Sequence, residues 1–265
     1  MMYGAKELKI AAGGTEFDYI RFGKGEKTLI MIQGLNTRGI KGSAIPLAYM
    51  YRIFAKEYTV YLFDRRPEVY DGITVRDFAK DIADAMDALG LRSADVIGVS
   101  EGGMIAEYLA IDRPDLVNKL ILAVTLARNN DTVRTVIERW IELTEKGDMR
   151  ALVVDMAEKM YSDKYVKRYK PLFPLLAILQ KPKDTARFIT LARSCLTCDA
   201  YVELDKIKCP TLVIGGRKDK VVGENALTEI AEVLGCEMYL YDDLGHAAYE
   251  EARDFNKRML DFLHK

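Results

Sequence analysis

Two hydrophobic rhythms alternate along the chain. Residues 17–22 alternate apolar and polar side chains in the period of a half-exposed strand. Residues 28–32, 59–63, 94–99 and 120–124 are instead nearly continuous apolar runs of strand length, as expected for strands buried on both faces. Between these runs the spacing lengthens to that of a helix. Residues 44–55 follow such a pattern, and after Thr74 apolar residues recur at Val75, Phe78, Ile82, Met86 and Leu89 until Gly90 stops the helix. Residues 102–111 read as another helix. Alternation of this kind, opened by antiparallel hairpin material, predicts an α/β fold with a mostly parallel central sheet and helices on both faces.

The alternation stops after Val124 and resumes at Thr211. Residues 128–205 read as helical throughout, with Val133, Val136, Ile137, Trp140 and Ile141 on one amphipathic face and Leu152, Val153, Met156 and Met160 on another. The chain therefore divides into a core, 1–127 and 206–265, and an inserted helical subdomain, 128–205. Within the insertion, Pro171 and Pro174 bracket Leu172 and Phe173, ahead of Leu175 and Leu176. Phe173 and Leu176 are candidates for lining a substrate pocket, with core packing as the plainer alternative. After the insertion come a strand at 211–215, a helix at 224–234, a strand at 237–241 and a last helix from about 248 to 263.

Composition narrows the functional classes. Across 265 residues, 49% hydrophobic and 30% charged positions are globular proportions, so neither disorder nor a disulfide-stapled scaffold is expected. Lys plus Arg number 39 against 40 Asp plus Glu, leaving no net basic field to draw the chain to nucleic acid or an anionic membrane. The N-terminal stretch lacks an apolar core for export, and no apolar run reaches the roughly 18–20 residues of a spanning helix. A cytoplasmic location is the expectation. Cys195 and Cys198 form a C-x-x-C pair, but no second close pair or neighbouring histidine completes a metal site, so reduced structural thiols are expected, with a redox pair as the alternative.

Chemistry gathers at three loops. Gly98-Val99-Ser100-Glu101-Gly102 lies between a buried strand and a helix, where a G-x-S-x-G pattern suits a sharp turn with φ > 0 at the serine and glycines two residues to either side. Such a turn lifts the Ser100 hydroxyl above the sheet and makes it a candidate nucleophile. A serine needs a base, and the chain holds only His246 and His264. His246 follows the strand 237–241, at the end of the sheet where ligands meet α/β folds; His264 is the second-last residue. For an orienting acid, Asp219 follows the strand 211–215, and Arg217, Lys218 and Lys220 beside it either hold the carboxylate ionised or form a solvated basic loop. Asp242 and Asp243 lie too close behind His246 in sequence to reach back to its Nδ1. Gln33-Gly34-Leu35-Asn36 follows the strand 28–32, and the backbone N–H groups of Leu35 and Glu101 are candidates for an oxyanion hole. The Glu101 side chain is expected to point away from it. Gln33, Asn36 and Arg38 are candidate substrate contacts, Asn36 and Arg38 for a polar or anionic group, unless that loop is simply solvated.

These residues, in the order Ser, Asp, His, resemble the α/β-hydrolase family over essentially the whole chain. The resemblance implies that 128–205 is a helical cap of the kind found in esterase, lactonase and carbon–carbon bond hydrolase branches. Asp64-Arg65-Arg66-Pro67 is similar to the D-x-R-G-x-G stretch after the family's fourth strand, departing from it at Pro67 and Glu68; Gln33 stands where many members have histidine. The function implied is hydrolysis of a carboxylic ester or lactone, or a thioester, in a small to medium, largely apolar substrate, with no cofactor and no metal. Acyl transfer, perhydrolysis and carbon–carbon cleavage are alternatives on the same fold, and a slow-turnover ligand receptor with a hydrolase body is a further one.

Overall fold

The computed structural model describes residues 2–175, 182 and 184–265. Eight strands form one sheet: β1 (Lys6–Ala12), β2 (Thr15–Phe22), β3 (Lys27–Ile32), β4 (Tyr58–Phe63), β5 (Ala94–Val99), β6 (Val117–Ala123), β7 (Thr211–Gly216) and β8 (Glu237–Tyr241). Their order is β1-β2-β4-β3-β5-β6-β7-β8. Only β1–β2 and β2–β4 pair antiparallel; the remaining pairs are parallel. The α/β class and its mostly parallel sheet thus stand, and β1, not anticipated as a separate strand, supplies an edge.

The buried strands read as unbroken apolar runs because a strand's side chains alternate between faces and both faces here are covered. Ile30, Ile32, Val96, Leu120, Leu122 and Val213 face one layer of core. Their neighbours Leu29, Met31, Ile97, Ile121, Leu212 and Ile214 face the other. The first layer is closed by α2 (Val75–Ala88) and α3 (Glu101–Asp112), the second by α1 (Ala44–Met50) and the C-terminal helix. At the start of α2 the Thr74 side chain accepts from the Asp77 amide while Asp77 accepts from the Thr74 amide, a reciprocal capping box.

Two helices are shorter than their apolar spacing implies. Residues 44–55 are α-helical only to Met50; beyond it, tighter bonds such as Phe54 N–H to Tyr51 C=O still bury Tyr51, Phe54 and Ala55. A repeat of three serves a tight turn as well as a helix. The last helix divides into Ala248–Glu251 and Phe255–Leu263, because Ala252 is extended and returns Phe255 to the sheet, stacked at 5.8 Å on Tyr241.

Between β6 and β7 run α4 (Asp131–Glu145), α5 (Met149–Met160), α6 (Asp163–Tyr169) and, after the undescribed residues, α7 (Thr185–Cys195). Turns separate them, so the stretch is not helical throughout. Among the described residues no helix is long and apolar enough to cross a membrane.

Candidate active site

Ser100 sits between β5 and α3 with φ 56° and ψ −121°, a backbone conformation that costs a non-glycine residue energy and persists only where its surroundings impose it. The glycines show how. A Cβ on Gly98 would stand 2.4 Å from the Gly102 carbonyl oxygen, and one on Gly102 would stand 2.0 Å from that of Ile32. Side chains at either position would collide with backbone, so the turn closes only with glycine. Bonds on both sides then hold it: the Ser100 amide donates to Ala123 C=O at 2.8 Å, and Thr125 Oγ1 donates to Ser100 C=O at 2.8 Å.

The loops after β7 and β8 bring two side chains to this hydroxyl. His246 Nε2 lies 2.9 Å from Ser100 Oγ, and His246 Nδ1 lies 2.8 Å from Asp219 Oδ2. His246 and Asp219 are both buried. The second carboxylate oxygen of Asp219 accepts from the amides of Val221 and Val222 at 2.8 and 3.0 Å, which fixes the carboxylate in its loop. Arg217, Lys218 and Lys220 have no part in this: they bond Asp242, Asp243 and Asp163 at the surface. Their role as partners of Asp219 is therefore corrected to that of a solvated basic loop, since opposite charges lie nearer. His264 bonds Glu57 far along the chain, at the end of the last helix.

Gln33-Gly34-Leu35 packs over the same point, with Gly34 so near that a Cβ on it would stand 3.0 Å from that of Ser100. Among the described residues neither the Leu35 amide nor the Glu101 amide is spent on a protein acceptor. The Glu101 side chain turns inward. Its Oε2 meets Arg65 Nη2 at 3.0 Å, with both side chains almost wholly buried, and the same guanidinium nitrogen donates to the Gln33 carbonyl. Burial pushes the Glu101 carboxyl up, and Arg65 opposes that shift. The pairing was not anticipated, although Arg65 lies in the D-x-R stretch singled out in the sequence. Further along α3, Glu107 is fully buried and, among the described residues, without a counter-charge, its Oε1 unpartnered and its Oε2 4.0 Å from Cys198 Sγ. Burial raises its carboxyl well above the usual range, which favours the neutral acid.

Ser100 and His246 open into a cavity of about 260 Å³. Its walls combine Gln33, Leu35 and Asn36 with Leu47, Met50 and Tyr51 from the segment after β3, and Val133, Ile137, Trp140, Met156 and Met160 from α4 and α5. All five apolar residues of the α4 face pack in the core, and Val133, Ile137 and Trp140 among them also reach the cavity. Arg38 is not brought here; it lines a neighbouring depression with Lys41 and Asp184 that shares Asn36. Phe173 is buried but is not among the residues lining the cavity, and Leu176 lies outside the described residues. Sequence reading missed Tyr51, Tyr249 and Glu250, which complete the wall; the last two follow His246 closely enough that proximity was a usable signal. Burial pushes the Tyr51 hydroxyl up to about 12.

The histidine loop is tied to the end of α5. Ala247 N–H donates to Met160 C=O at 2.7 Å, Tyr161 Oη donates to Glu250 at 2.5 Å, and the Ser162 amide and hydroxyl donate to Glu251 at 2.8 and 2.5 Å. All four cysteines are free, Cys195 and Cys198 being buried.

Comparison with known proteins gives a consistent outcome. The model of the alpha/beta hydrolase fold family matches residues 27–179. A 2-hydroxy-6-oxononadienedioate/2-hydroxy-6-oxononatrienedioate hydrolase of Paraburkholderia xenovorans is 27% identical, over 97% of this chain and 93% of its own. Serine hydrolase BPHL of Mus musculus is 25% identical, over 96% of this chain and 85% of its own. Among solved structures, the enol-lactonase from Burkholderia xenovorans LB400 superposes with a TM-score of 0.83 at 22% identity, covering 97% of this chain and 100% of that one.

Proposed function

The chain belongs to the alpha/beta hydrolase fold family of enzymes, and from that premise we propose that it is a serine hydrolase of carboxylic esters or lactones, thioesters included. The substrate is a small to medium, largely apolar molecule. One observation carries the reading: the bonded series Asp219, His246, Ser100, at 2.8 and 2.9 Å, on the wall of a mainly apolar cavity.

In this reading Ser100 Oγ attacks the carbonyl carbon as His246 Nε2 takes its proton, and Asp219 holds the imidazole in the tautomer that leaves Nε2 free to accept. The tetrahedral oxyanion is received by the amides of Leu35 and Glu101, the second lying at the start of α3, where the helix dipole favours negative charge. The protonated imidazole then gives its proton to the leaving oxygen. Water, deprotonated by the same nitrogen, attacks the acyl-serine, and the acid departs with Ser100 restored. Residues 128–205 act as a cap over the cavity, to which α4 and α5 contribute apolar lining.

A fluorophosphonate probe followed by peptide mapping tests the reading. Modification at Ser100 together with loss of ester turnover in Ser100→Ala supports it. A Ser100→Ala protein with full esterase activity overturns it.

A further inference from the structure

The charge carried by the cavity wall bears on the substrate. Among the described residues that line it, neither lysine nor arginine occurs, and apart from His246 the one side chain that carries a full charge near neutral pH is Glu250, itself exposed. Its neighbour Glu251 is committed to the amide and hydroxyl of Ser162. Among the described residues Glu250 is bonded by tyrosine hydroxyls: Tyr161 donates to it at 2.5 Å, and its charge acts on the hydroxyls of Tyr51 and Tyr249, with Glu251 the other charge acting on it. Tyr51, Tyr249 and Trp140 also line the cavity. Desolvation raises the Glu250 carboxyl, and the hydroxyls of Tyr161 and Tyr249 that bond it oppose that shift; once ionised it has no counter-charge in the cavity lining to cancel it, and an aromatic face adds attraction for a cation.

We propose that Glu250, with the rings of Tyr51 and Tyr249, is a subsite for a positively charged group on the substrate, so that the preferred esters carry an ammonium away from the scissile carbonyl. The inference rests on the serine-hydrolase reading above and goes beyond it by naming the charge class. A carboxylate-bearing substrate meets repulsion at the same place. Attraction of a cation to such a site changes kcat/KM by about two- to thirtyfold, which sets the size of the preference.

The test uses three 4-nitrophenyl alkanoates of equal chain length, ending in trimethylammonium, tert-butyl or carboxylate. The first two are nearly the same shape and differ in charge. With the unaltered protein, kcat/KM for the cationic ester should exceed that for the tert-butyl ester by about two- to thirtyfold, with the anionic ester last. In Glu250→Gln the ratio of cationic to tert-butyl rates should fall toward one, a ratio that partial unfolding of the variant leaves untouched because both rates drop together. A ratio of one or less in the unaltered protein overturns the proposal, and so does a preference that survives Glu250→Gln. If the probe labels Ser100 and the unlabelled protein turns over the tert-butyl ester without charge preference, the subsite alone is removed; labelling absent from Ser100 removes the underlying reading.

Discussion

Replacing Arg65 with methionine strips a buried carboxylate of its counter-charge while keeping most of the side-chain volume. Glu101 is 1% exposed, and its other polar contact is the Ser194 hydroxyl at 3.5 Å. Breaking a buried pair from one side costs about 3–5 kcal/mol. Because a protonated Glu101 limits the penalty, the lower figure applies, and at about 2–4 °C per kcal/mol for a chain of this size Tm falls by roughly 6–12 °C. Protonation also gives the deficit a sign in pH. With Arg65 gone, burial acts on the Glu101 carboxyl against only the weaker opposition of Arg187 and the Ser194 hydroxyl, so the folded variant holds its proton at pH values where the unfolded chain has lost it. Folded then binds more protons than unfolded, and stability falls as pH rises above the ordinary carboxyl range, by at most about 1.4 kcal/mol per pH unit. The deficit against the unaltered protein therefore widens from pH 5 to pH 8. Urea unfolding followed by far-UV circular dichroism and by the fluorescence of the single tryptophan, Trp140, reads it directly. Arg65→Met combined with Glu101→Met should recover much of the loss, since an apolar replacement of both partners leaves no charge stranded. Kinetics adds a second readout: Arg65 also holds the Gln33 carbonyl two residues before Leu35, so kcat should fall with little change in KM. A deficit under about 1 kcal/mol, against the 3–5 expected, refutes the reasoning, as does one that shrinks with rising pH.

Glu107→Gln should stabilise the protein at pH 8, because the carboxyl raised by burial makes the folded state progressively less favourable as pH climbs past the ordinary carboxyl value, and the amide removes that slope; thermal melts at pH 5 and 8 should show the variant's advantage only at the higher pH. Asp219→Asn preserves an acceptor for the Val221 and Val222 amides but favours the wrong imidazole tautomer, so kcat should drop on the order of 10⁴-fold with the fold intact by circular dichroism; a drop under tenfold would count against the orienting role. Gly102→Ala drives a Cβ to 2.0 Å from the Ile32 carbonyl oxygen, and overpacking of that kind costs about 1–3 kcal/mol or more, measurable as a lower urea midpoint; an unchanged midpoint would mean that the turn relaxes freely.

Most of the sheet was legible because burial on both faces writes an unmistakable signature: Ile30 and Leu29 are equally apolar although they face opposite layers. The turn at Ser100 was legible for a steric reason, since glycine at positions 98 and 102 is what its closure demands. Charge pairing was not. Arg217, Lys218 and Lys220 stand beside Asp219 in sequence, yet each finds an acid delivered by another loop or helix, and nothing local announces that Asp163 or Asp243 will arrive. Arg65 and Glu101 stand 36 residues apart and meet only because β4 and β5 both flank β3. Apolar spacing misled where helix and tight turn share a repeat, at 51–55, and where one break at Ala252 divides the last helix.

The bond from the Ala247 amide to the Met160 carbonyl couples events that are usually treated separately. His246 takes its orientation from Asp219 on the sheet side, while the residue after it is latched to the end of α5, in the stretch we read as the cap. If that stretch swings to admit substrate, the latch opens and the imidazole loses one of its two anchors at the moment water enters. An open cap would then be an idle enzyme, and closing it would restore the base and exclude bulk solvent in a single movement. On that reading, entry, activation and protection of the acyl-serine would become one equilibrium, shifted by whatever fills the cavity.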